Sequence, residues 1–153
     1  MSKLPLLGPG QLETVDGAIV GISTIRVPFH DADPAGVVWH GNYFKYFDAA
    51  RCVILDNLQY GYMEMAESGH LWPVVDARVK YIGAIYYDET VIVRARLVEW
   101  EYRLKFDFEI TGEDGARRTT GHTVHVAVDT ATREMNFSVP KLLSERIQCL
   151  LQT

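Results

Sequence analysis

The chain has 153 residues, enough for one domain and too few for two ordinary ones. With 48% hydrophobic and 23% charged residues it is neither a disordered nor a low-complexity polymer, and it is long enough to bury a sizeable core. The formal net charge is −5 and the longest Lys/Arg run is the pair Arg117-Arg118, which excludes a sequence-independent nucleic-acid binder and leaves only local cations for an anionic ligand.

Residues 1–20 are punctuated by Pro and Gly and predict a partly flexible N-terminal arm, with residues 21–153 as a single domain. Met1–Gly10 lacks the apolar core of a signal peptide, and no apolar stretch approaches the roughly 20 residues that span a bilayer. Cys52 and Cys149 lack the spacing of a zinc knuckle or disulfide framework and read as reduced, partly buried thiols. A cytoplasmic protein without a membrane span is expected.

Alternation of period two starts with Ile25, Val27 and Phe29. A polar turn, His30–Gly36, follows. The segment Asn42–Asn57 then switches to helical spacing, with Tyr43, Tyr46, Phe47, Ala50, Val53 and Ile54 on one stripe and Phe44 and Leu55 widening it. A helix apolar over most of its circumference is a buried helix. A short helix is expected near Met63–Ser68. Further strands are read over Val75–Tyr81, Val91–Leu97, Tyr102–Ile110 and Val124–Val128, each with one apolar face. Gly112–Gly115 and Asp129–Thr132 read as turns, and Pro140–Leu151 as a terminal helix with Pro140 in its first turn. The fold class is α+β: an antiparallel sheet of five to six strands wrapped around one long buried helix, with a split α+β sandwich as the alternative.

The chemistry-bearing residues concentrate in His30–Arg51. Asp31 and Asp33 lie in a loop at a helix N-terminus, where unpaired N–H groups suit an anion or a developing oxyanion. A carboxylate beside such donors can serve as nucleophile or general base. The same residues have plainer roles: Asp before Pro caps a turn, His40 packs or caps, and Asn42 is the N-cap of the helix. No metal is expected. His30, Asp31, Asp33 and His40 lack the spacing of a helix-borne ligand pair, and His122 and His125 point to opposite faces of one strand. No G-x-S-x-G nucleophile elbow is present.

The run Asp31-Ala-Asp33-Pro-Ala-Gly36-Val-Val38-Trp39-His40-Gly-Asn42-Tyr43 resembles the signature of the 4-hydroxybenzoyl-CoA thioesterase family of hot-dog enzymes. It is also similar to the acyl-CoA thioesterases associated with the Tol–Pal system. The likeness continues through Phe47–Arg51 and, at lower similarity, through Val74–Tyr81 and Glu99-Trp100, covering about residues 22–138. It implies a thioester hydrolase that releases free CoA and a carboxylic acid and needs no cofactor. Asp33 matches the catalytic carboxylate. The backbone N–H of His40 matches the donor that polarises the thioester carbonyl. Gly36, Val38, Trp39, Asn42 and Tyr43 fall on substrate-binding positions. The 4-hydroxybenzoyl enzyme has Tyr where His40 stands, and the Tol–Pal-associated group has His, which points away from 4-hydroxybenzoyl as the acyl group. Coenzyme A carries phosphates, so cations on the wet strand faces become candidates: Lys80, Arg94 and Arg103, with Arg96 and Lys105 beside them. The resemblance also implies a homodimer or homotetramer with the site completed by a neighbouring subunit. A carrier-protein thioesterase, a hot-dog dehydratase and a non-catalytic acyl-CoA-binding protein are the alternatives.

Overall fold

The computed structural model describes residues 10–153. In chain order the strands are β1 (Gln11–Val15), β2 (Ala18–Arg26), β3 (His70–Leu71), β4 (Val74–Tyr81), β5 (Thr90–Glu99), β6 (Leu104–Gly112), β7 (Arg117–His125) and β8 (Val128–Asp129). The helices are α1 (Tyr43–Asn57), α2 (Tyr62–Glu67) and α3 (Lys141–Leu151), and short 3-10 turns occupy Phe29–Asp31 and His40–Asn42. Six strands form one antiparallel sheet in the order β1-β2-β5-β6-β7-β4, and β3 pairs with β8 apart from it.

The alternation in β5 and β6 decides where the core sits. Val91, Val93, Ala95 and Leu97 point inward beside Leu104, Phe106, Phe108 and Ile110, and all are buried. Against them α1 buries Tyr43, Tyr46, Phe47, Ala50, Ile54 and Leu55. Phe47 stacks on Phe108 with ring centroids 4.4 Å apart. Two glycines let the helix come this close. A Cβ on Gly21 would stand 2.5 Å from the Ala50 carbonyl oxygen, and one on Gly121 would stand 2.7 Å from the Phe47 ring. The rest of the cover comes from α3, which buries Leu143 and Ile147. This is the expected sheet wrapped on a helix, in the hot-dog arrangement.

Several expectations need correction. Residues 11–20 are not an arm: β1 pairs with β2 from Gln11↔Ile22 to Val15↔Ala18, so the domain starts before residue 21. Residues 1–9 of the expected arm lie outside the described residues. The strand expected to reach Phe29 ends at Arg26, and Phe29 opens a 3-10 turn instead. The alternation in β4 does not mark a buried face, because β4 is a sheet edge: Val75 is 57% exposed and Tyr81 50%. Tyr102 stands outside β6, and β7 ends at His125 before Val126 and Val128. Pro140 caps α3 rather than joining its first turn. Both cysteines are free and exposed, not partly buried. No helix among the described residues is long and apolar enough to cross a membrane.

Candidate active site

The segment from Val27 to Asn42 joins β2 to α1 and is folded on itself by its own polar groups. The Asp33 N–H donates to the Val37 carbonyl at 2.8 Å and the Gly36 N–H to the Asp33 carbonyl at 2.9 Å. Gly36 holds φ +81°, a left-handed conformation that glycine adopts without a Cβ penalty. Inside this turn Asp33 Oδ1 accepts the Ala35 N–H at 2.8 Å, an Asx-type turn. The other carboxylate oxygen of this half-buried residue has no partner among the described residues. Asp33 thus plays its turn role and still presents one free oxygen of fixed orientation.

A second set of bonds fastens the loop to the body. The Val38 N–H donates to the Ile85 carbonyl at 2.8 Å, and the Tyr87 N–H to the Gly36 carbonyl at 3.0 Å. Arg118 and Glu89 hold this neighbouring segment: their side chains meet at 2.6 Å, Arg118 Nη1 donates to the Ala84 carbonyl at 2.7 Å, and Glu89 Oε2 accepts the Tyr86 N–H at 3.0 Å. The Trp39 N–H donates to the Asp31 carbonyl at 2.9 Å. The next amide, His40 N–H, opens the 3-10 turn that leads into α1 and has no acceptor among the described residues. It is an unpaired donor at a helix start, the arrangement that favours an anion or a polarised carbonyl.

The sequence-derived residues Asp33, Gly36, Val38, Trp39, His40, Asn42 and Tyr43 therefore share one loop–helix junction. Their roles differ. Val38 and Tyr43 are buried, whereas Trp39 and the His40 side chain are exposed, with their rings 5.0 Å apart. Tyr43 meets the Tyr81 ring edge-on at 4.8 Å, and burial, followed by the neighbouring Tyr81, pushes its phenol pKa up. Asn42 is not a side-chain cap: its Nδ2 turns back to donate to the Asp31 carbonyl at 2.9 Å, because the 3-10 turn already precedes the helix.

Tyr81, which sequence reasoning did not place here, also belongs to the junction, and Asp31, placed in the loop, gains partners on α1. The Tyr81 hydroxyl donates to the His40 carbonyl at 2.8 Å across the sheet edge. Asp31 is buried and bound by Lys45 and Tyr46 of α1. Burial, with the hydrogen bond to Asp31, raises the Tyr46 phenol well above its ordinary range. The D-x-D spacing was the only signal for Asp31; nothing local marks Tyr81.

The candidate CoA cations do not form one set. Lys80 and Arg94 line a groove of about 730 Å³ on the sheet face away from α1, with Arg78, Arg96, Arg117 and His122 and with the carboxylates Glu13, Asp107 and Glu109, the last paired with Arg117 at 3.0 Å. Arg103 does not line it: it sits beyond the end of β5, where its guanidinium pairs with Glu99 at 2.8 Å. His122 turns outward to Asp76 at 3.3 Å and His125 inward to Arg51 at 3.2 Å, on opposite faces as alternation requires.

The family model of the thioesterase-like superfamily matches residues 27–147. A Synechocystis sp. protein provisionally named an esterase is 29% identical over 130 residues, covering 84% of this chain and 78% of that one. The 4-hydroxybenzoyl-CoA thioesterase of Pseudomonas sp. is 31% identical over 78 residues, 49% of this chain and 55% of the relative. Among solved structures, a DHNA-CoA thioesterase from Staphylococcus aureus superposes with a TM-score of 0.74 at 27% identity, covering 87% of this chain and 93% of that one. With the family model spanning most of the chain over a sheet-wrapped helix, the chain belongs to the thioesterase-like superfamily, hot-dog thioester hydrolases.

Proposed function

We propose that the protein hydrolyses an acyl-CoA thioester to free CoA and a carboxylic acid. Asp33 acts as nucleophile or general base, and the His40 N–H polarises the carbonyl. One observation carries this reading: a carboxylate with one oxygen tied into its own turn and the other free shares a loop with an unpaired helix-start amide. In the nucleophilic version the carboxylate attacks the thioester carbon, the oxygen bound by the His40 N–H takes the negative charge, and the CoA thiolate leaves. Water then cleaves the acyl anhydride and restores the carboxylate. In the general-base version Asp33 takes a proton from an attacking water, and the same amide stabilises the same oxygen. Both routes are consistent with the similarity to a 4-hydroxybenzoyl-CoA thioesterase and a DHNA-CoA thioesterase.

Gly36, Val38, Trp39, Asn42 and Tyr43 wall the reacting carbonyl in this reading. Lys80 and Arg94, in the groove with Arg78 and Arg96, take the CoA phosphates. Arg103 is the weakest of the three candidate cations, since Glu99 already partners it. A cytoplasmic enzyme without a cofactor suffices for this chemistry. A second copy seated along β4 would cover the exposed Val74, Val75 and Tyr81, and it would approach the site through the Tyr81 bond to His40.

The test is thiol release from a panel of short, long and aromatic acyl-CoAs, with the matching acyl-carrier-protein thioesters in parallel. Asp33→Asn is expected to lower the rate by about 10²–10⁴-fold while circular dichroism is unchanged. Full rate in that variant rules Asp33 out. Tight acyl-CoA binding with no turnover in the native protein supports a binding protein instead, and faster release from the carrier protein replaces CoA as the substrate carrier.

A further inference from the structure

Asp31 is only 2% exposed, two residues before Asp33. Burying a carboxylate is unfavourable unless it is paired and hydrogen-bonded, and an apolar pair of similar volume holds a fold equally well. A buried charge here therefore calls for a reason beyond stability. Its bonds supply one. The first turn of α1 sends Lys45 Nζ to Oδ1 at 2.5 Å and the Tyr46 hydroxyl to Oδ2 at 2.7 Å. His30 Nε2 stands 3.7 Å from Oδ1. The Asp31 backbone carbonyl accepts the Trp39 N–H and Asn42 Nδ2, both at 2.9 Å.

One residue thus joins three parts. It sits on the strand side of the loop that carries Asp33. It closes that loop at Trp39, the residue immediately before the His40 amide. It fastens both to α1 through two side chains of fixed position. The Asp31–Trp39 bond is the base of the loop, and Asp33 and its turn lie within it. Tightening or loosening that base changes the separation of the free Asp33 oxygen and the His40 N–H.

We propose that Asp31 is a positioning residue: held by Lys45 and Tyr46, it sets the spacing between the Asp33 carboxylate and the His40 amide. This rests on the reading of Asp33 and His40 given above. Asp31 touches neither substrate nor leaving group. It acts by holding two reacting parts at one distance, and misplacement of about 1 Å lowers rates by about 10²-fold.

The experiment compares Asp31→Asn, Tyr46→Phe, Lys45→Met and Lys45→Arg in the full chain. Lys45 is partly exposed and Tyr46→Phe removes one atom, so these variants fold if Asp31→Asn does not. Lys45→Met and Tyr46→Phe are expected to lower kcat by about tenfold to a hundredfold with KM within about twofold, and Lys45→Arg to recover most of kcat. Amide hydrogen exchange at Trp39 should accelerate by about tenfold or more while Val93 and Ala95 of β5 keep their protection. Unchanged kcat with unchanged Trp39 exchange overturns the proposal. So does a loss that tracks falling melting temperature with all amides accelerated together, which marks a purely structural role. Asp33→Asn tests the hydrolase reading separately, and exchange at Trp39 decides the Asp31 tie whether or not the native protein hydrolyses any thioester.

Discussion

His125 is 1% exposed at the end of β7, yet it is an ionisable residue among the core side chains. Its ring faces Arg51 Nη1 at 3.2 Å, the Thr123 hydroxyl at 3.0 Å and the edge of Phe106 at 5.8 Å. Burial, reinforced by the Arg51 cation, pushes its pKa from 6.5 down to about 4. The unfolded chain therefore binds this proton more readily than the native one. The stability His125 contributes is complete above its unfolded pKa and is lost as pH falls from about 6.5 toward 4. At pH 5 the loss is about 2 kcal/mol. Urea unfolding at pH 7 and pH 5 should show this difference, and His125→Gln should remove it. An equal shift in both proteins would assign the pH dependence to other groups. Charge also explains why Asp31 and Asp33, two residues apart, diverge: Lys45 and Tyr46 meet the first, while only the amide of its own turn meets the second.

At the scale of elements, the helical stripe over Asn42–Asn57 and the strand alternation of β5 and β6 were legible because they depend on the backbone's own repeat. The helix forms as Tyr43–Asn57 and buries Tyr43, Tyr46, Phe47, Ala50, Ile54 and Leu55 as expected, whereas Phe44, expected to widen the stripe, is exposed and Val53 is only half-buried. What periodicity does not carry is the partner of a face. The alternation of Val75, Ala77 and Val79 looked like that of β5, yet β4 is an edge with only Val79 packed against the core. The same limit hid β1, a five-residue strand with four exposed positions and no apolar face to announce it. Helix–sheet contact supplies the prediction at this scale. Gly121→Ala places a methyl against both the Phe47 ring and the Arg78 carbonyl oxygen, and neither the helix nor the neighbouring strand can yield cheaply. A destabilisation of about 1–3 kcal/mol is expected from the shift in denaturant midpoint. An unchanged midpoint would mean that α1 does not lie as tightly on β7 as these contacts require.

For the whole molecule, one chain leaves the β4 edge and its apolar side chains in water beside the candidate site. Sedimentation at micromolar concentration is expected to give a dimer or tetramer, and Val75→Lys to shift it toward the monomer with loss of hydrolysis. A native protein that sediments as a monomer removes the shared-site reading. Although the net charge is −5, Arg78, Lys80, Arg94, Arg96 and Arg117 gather on the outer sheet face, interleaved there with Glu13, Asp107 and Glu109.

The sequence by itself determined the α+β class, the central helix, the inward faces of β5 and β6, and the loop in which Asp33 and His40 stand. Each depends on residues a few positions apart, where backbone geometry and turn chemistry are local. The tertiary structure decided the rest. It turned Asn42 away from its cap to the Asp31 carbonyl, separated Arg103 from Lys80 and Arg94, exposed β4, and brought Tyr81 to the His40 carbonyl. The Asn42 and Tyr81 bonds join positions 11 and 41 residues apart, and the exposure of β4 and the grouping of the cations depend on which strands become neighbours. Packing of the whole sheet on one helix sets those distances, and no local pattern encodes them.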